Sequence, residues 1–179
     1  MNRPRTLPPF TEKLLFLALG VVAVQAALIP LGPGGALVPP DLLYGLTVAW
    51  MIRRPATAPI WAVLALGLFA DVMLSRPLGL GALGLLLASE LFRHRARRFH
   101  GAPFPLEWLA VAAGFAALLA GMAIAMALVL LDPPGLGTLL HHLLTTALAY
   151  PLIVFGLTWC LRLRAPQAHR FGNPLGRLE

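Results

Sequence analysis

Six stretches of the chain are nearly free of polar residues, at positions 14–30, 37–52, 57–75, 77–92, 105–131 and 138–161, and the gaps between them are rich in Pro, Gly or Arg. The stretches are apolar around their whole circumference, as in Leu83 to Ala88 or Ala116 to Leu131. A helix against a water-soluble core shows a one-sided stripe instead. Apolar and polar residues do not alternate either, as they must on the strands of a membrane β-barrel. The pattern predicts an all-α membrane domain of six transmembrane helices, because a span takes about 20 residues and as few as about 17. Runs 37–52 and 77–92 hold 16 residues each. At 1.5 Å per residue they rise only about 24 Å, short of a hydrocarbon core of about 30 Å, so their helices must extend or the bilayer must thin.

Composition removes the soluble alternatives. Only 12% of the 179 residues are charged and 59% are hydrophobic, against about 25% charged in an ordinary soluble domain. One domain over residues 1–164 accounts for all six runs; residues 165–179 form a basic tail whose Pro, Gly and Arg content predicts disorder. Val24-Gln25-Ala26, after a basic start, resembles a signal-peptidase site. The apolar run continues through Leu28 and Ile29, so it reads as an uncleaved first span.

A formal charge of +7 on a soluble body would point to nucleic acid, but here the cations sit in short gaps between apolar runs. They read as topology signals, and no nucleic-acid partner is expected. Thirteen of the fourteen Lys and Arg residues fall before run one or after runs two, four and six. Lys and Arg are retained on the cytoplasmic side of short loops, so both termini are expected in the cytoplasm, with Arg76 the one exception. Trp50, Trp61, Trp108 and Trp159 each lie near a gap assigned to the cytoplasm, as interfacial tryptophans do.

Ionisable groups at membrane depth are costly and each needs a reason. Asp41, Asp71, Arg76 and the pair His141-His142 are expected near the outer ends of their spans, in one leaflet. Asp71, about one turn from the end of run three, is expected to pair with Arg76 and close the turn to run four; a polar pocket or a partner contact is the alternative. Asp41 follows Pro39 and Pro40 and reads as a helix cap. His141 and His142 are adjacent and point about 100° apart on a helix, which excludes the i, i+4 metal pair. Glu90 and Glu107 are expected to pair with the arginines of the loop Arg93-His-Arg-Ala-Arg-Arg98, and Gln25 to hydrogen-bond between helices. Gly79, Gly81, Gly84, Ala82 and Ala88 give run four a small-residue face for close packing. Arg93, Arg95, Arg97 and Arg98 set the orientation of the chain and suit anionic lipid or an acidic cytoplasmic partner.

Catalytic patterns are missing. The sequence has no HExxH, no GxxxxGK[ST] and no GxGxxG, and its seven acidic residues are scattered. Cys160 is the single cysteine, which excludes an intrachain disulfide and a cysteine-rich metal site. The chain is expected to be no enzyme and to carry neither cofactor nor metal.

Pro39-Pro-Asp41-Leu-Leu, the Arg53-Arg54-Pro55 gap, and Gly67-Leu-Phe-Ala-Asp71 followed by Arg76-Pro-Leu-Gly79-Leu-Gly81-Ala together resemble the bacterial rod-shape-determining protein MreD family. The resemblance extends over the whole chain in length and span pattern, with its motifs in residues 37–90. It implies a non-enzymatic scaffold of the inner membrane that supports cell shape and lateral peptidoglycan synthesis. The partners it implies are a bitopic MreC-like protein, an actin-like MreB filament, and the elongation transpeptidase and glycosyltransferase. It places the functional outward surface around Asp41 and Asp71. The family is also similar in layout to the substrate-binding subunits of energy-coupling-factor transporters, so a vitamin-type small-molecule binder is the second expectation.

Overall fold

The computed structural model describes residues 8–30, 38–99 and 101–159, whose secondary structure is helices joined by turns, with no strand among them. The helices are α1 (Pro9–Ala27), α2 (Leu42–Arg53), α3 (Ile60–Met73), α4 (Leu80–Phe99), α5 (Phe104–Leu128) and α6 (Leu136–Trp159), with a 3-10 turn at Pro55–Thr57 between α2 and α3. Phe10–Ala27, Phe104–Leu128 and Leu136–Trp159 are long and apolar enough to cross a membrane. The expected tail 165–179 and Cys160 lie outside the described residues.

Proline sets several boundaries. Pro8, Pro59 and Pro103 stand just before α1, α3 and α5, where a missing N–H costs nothing. Chain direction alternates, so the C-terminus of α2, the N-terminus of α3, the C-terminus of α4 and the N-terminus of α5 gather at one end of the bundle, the basic end.

Three helices differ from the sequence expectation. Run three gives a helix of only 14 residues, Ile60–Met73, about 21 Å long and so short of a full span. Run two gives only 12 residues of helix, Leu42–Arg53, about 18 Å long, and every residue from Leu43 to Arg53 is buried. A helix too short for the hydrocarbon core survives because protein, not lipid, meets its ends and sides. It is wrapped by α1, α4, α5 and α6. Run four, in contrast, extends to 20 residues and takes in Arg93, Arg95, Arg97 and Arg98 as its last turns. The expected basic loop is therefore helix, and cations in a last turn complement the helix dipole.

The small-residue face of α4 packs as expected. A Cβ on Gly67 of α3 would stand 2.7 Å from the Cα of Ala82, so the two backbones touch. Trp50, expected at the interface, is fully buried in α2 against Phe16, and its Nε1 donates to Thr57 Oγ1 at 2.9 Å. Trp61 and Trp159 are exposed, as an interfacial ring requires. Gln25 is exposed on α1, and its side chain has no hydrogen-bond partner among the described residues, in place of the expected interhelical bond.

Candidate functional site

The site is built where α2 begins and α3 ends. Asp41 caps α2: its Oδ1 accepts from the Tyr44 N–H at 2.9 Å, and its own N–H donates to Thr146 Oγ1 at 2.9 Å. Thr146 stands near the midpoint of the 24-residue α6, a helix about 36 Å long. The start of α2 thus lies roughly halfway down α6, deeper than the expected outer end of a span. Tyr44 agrees: its ring packs on Phe115 and its hydroxyl donates to the Val111 carbonyl, both in the first half of α5.

Arg76 does not pair with Asp71. Its Nη1 reaches Asp41 Oδ2 at 3.3 Å, 35 residues away in sequence. Asp71 turns the other way: its Oδ2 accepts from the backbone N–H groups of Gly79 and Ala82 at 2.8 and 3.1 Å, so it caps the first turn of α4 from α3. Those N–H groups have no partner within the helix, and a carboxylate at a helix N-terminus also meets the positive end of the dipole. Asp71 is 1% exposed, and its Oδ1 has no hydrogen-bond donor among the described residues. That oxygen lies over Gly81, where any Cβ would collide with it. The turn itself is held by the Arg76 N–H donating to the Asp71 carbonyl at 2.9 Å.

Asp41, Tyr44, Asp71, Arg76 and Gly81 enclose a cavity of about 50 Å³, the space of a water or two at about 30 Å³ each. Above this floor α5 and α6 are only partly covered by the other described helices. No residue of α5 after Leu119 and none of α6 before Thr146 is buried. Between the two helices and the floor lies a recess of about 300 Å³, with Asp41, Arg76 and His142 as its charged or titratable lining and Phe115, Met122 and Met126 among its apolar walls. The rings of His142 and Phe115 stand perpendicular, centroids 5.2 Å apart.

No family model, no characterised protein and no solved structure matches this chain. The site therefore has to be read from its own geometry. The structure brings Asp41, Arg76 and His142 together, leaves Asp71 beneath them as a backbone clamp, and puts the arginines of α4 at the far end of the molecule.

A second polar cluster, not anticipated from the sequence, lies at the basic end. Glu107 Oε1 accepts from Arg53 Nη1 at 2.9 Å and from the Tyr150 hydroxyl at 2.6 Å, and all three residues are buried. Arg53 also donates to the Ala49 carbonyl at 3.1 Å. Glu107 was expected to pair with the arginines of α4; only Glu90 does so, with Arg93 at 2.9 Å. Arg93 in turn donates to the carbonyls of Pro55 and Ala58 at 2.7 and 2.6 Å and fastens α4 to the connection between α2 and α3. The signal available in the sequence was the pair of polar residues Arg53 and Tyr150, each at the edge of or within an apolar run.

Proposed function

We propose that the chain is a non-enzymatic, six-span scaffold of the bacterial inner membrane, akin to the rod-shape-determining MreD family, with both termini in the cytoplasm. In this reading it supports cell shape and lateral peptidoglycan synthesis by binding an MreC-like bitopic protein, within an assembly that includes an MreB-like filament and the elongation transpeptidase and glycosyltransferase. The observation that carries it is the apolar-walled recess floored by the Asp41–Arg76 pair, beside the distal half of the α5–α6 hairpin, where none of the described residues of α5 after Leu119 or of α6 before Thr146 is buried. The acidic groups here are committed to holding backbone: Asp71 clamps α4 and Asp41 caps α2. A recess of that shape suits an apolar segment of a partner that brings one or two polar groups to the floor.

Co-purification with an MreC-like protein is the direct test. An Arg76→Ala or His142→Ala variant that inserts normally is expected to lose partner association and to turn rod cells round. Normal shape with an intact complex in both variants overturns the assignment of the recess.

The size of the recess, about 300 Å³, also meets the lower limit of ordinary ligand pockets, about 300 Å³. That favours a second reading, a small-molecule binding subunit of a membrane transporter. Saturable binding of a vitamin-type ligand by the purified chain, abolished by Arg76→Ala, would decide for it.

A further inference from the structure

The adjoining face of α5, which shares Leu118 and Met122 with the recess, carries a groove about 500 Å³ in volume between α4 and α5. Leu83, Leu87 and Leu91 line it from α4, and Gly114, Ala117 and Gly121 from α5. The lining runs from Leu80 to Phe92, about 18 Å along the axis. Spread over that length, the volume of about 500 Å³ is a long, narrow apolar slot that accommodates an extended hydrocarbon chain.

The leucine row does not stop at the end of the groove. Leu87, Leu91, Arg95 and Arg98 follow one another at i+4, i+4 and i+3, so the two arginines stand on the groove face of α4 at its basic end. Both are exposed, and neither has an acidic partner among the described residues, whereas Arg93 is occupied by Glu90, Pro55 and Ala58.

We propose that this groove binds one anionic phospholipid, with an acyl chain between α4 and α5 and the headgroup phosphate on Arg95 and Arg98. The inference requires only that the chain sits in a bilayer; it is independent of the scaffold reading. An apolar slot ending in two free guanidinium groups matches a lipid in both of its chemical halves.

The test uses the full chain in detergent, titrated with phosphatidylglycerol and with phosphatidylcholine of the same acyl composition and read by native mass spectrometry. Two surface cations predict roughly a thirtyfold preference for phosphatidylglycerol. Arg95→Gln with Arg98→Gln should bring the two lipids to equal affinity, and these exposed positions leave the fold intact. Gly121→Leu, which fills open space in the groove, should weaken both lipids. Equal affinity in the wild type, or a preference that survives the double substitution, overturns the proposal. A photo-crosslinker in place of Leu87, activated in native membranes, should yield a phospholipid adduct; a protein adduct there would mean that the groove seats a partner helix.

Discussion

The carboxylate of Asp71 occupies the place where a side chain at Gly81 would begin. This relationship joins α3 to α4 more closely than either helix could arrange alone, because the carboxylate also takes the Gly79 and Ala82 N–H groups. Gly81→Ala is therefore expected to expel the carboxylate from its cap. The cost should be about 3–6 kcal/mol, from two charge-assisted hydrogen bonds lost in a buried setting. The denaturation midpoint in detergent checks it, and a wild-type midpoint would sink the shared-space account.

Substitutions at Asp71 itself separate the cap from an ion pair. Asp71→Asn keeps an acceptor for the two N–H groups and should cost about half as much as Asp71→Ala. The double exchange Asp71→Arg with Arg76→Asp should rescue nothing, because Arg76 faces Asp41 rather than Asp71. Recovery of stability by the exchange would restore the local ion pair.

Arg53 and Glu107 make the opposite kind of test. Both are buried, so removing either alone strands its partner; Arg53→Met or Glu107→Leu should each cost about 3–5 kcal/mol. The double replacement should cost less than either single change, since two apolar side chains of similar volume leave no charge unpaired. A double-mutant cycle in thermal unfolding reads this coupling, and additive costs would count against the pair.

Topology gives the last prediction. Reporters fused after Gly35, Arg76 or Pro134 should show the exterior, and one after His100 the cytoplasm. A reversal at any site would remove the six-span arrangement with its cytoplasmic termini.

Much of this was legible in the chain. The apolar runs located the six helices of the described residues, three of them long and apolar enough to cross a membrane, because hydrocarbon tolerates only segments that satisfy their own backbone. Asp41 was readable as a cap, since Pro39 and Pro40 before it and an apolar run after it are local signals. The small residues of α4 announced close packing for the same reason. Depth was not legible. That α2 is a short enclosed rod whose start meets the middle of α6 depends on which neighbours surround it, and the 105 residues separating Asp41 from Thr146 hide that.

Partners were hidden likewise. Arg76 stands five residues from Asp71, yet bonds across 35 to Asp41, and Glu107 bonds to Arg53 and Tyr150 rather than to the nearer arginines of α4. Sequence by itself determined the solvent, the helices and their local caps, all of which follow from hydropathy and from residues a few positions apart. Only the tertiary structure decided the Arg76–Asp41 and Arg53–Glu107 pairs, the recess and the groove, because a charge leaving water takes the best donor or acceptor in three dimensions, whatever its distance along the chain.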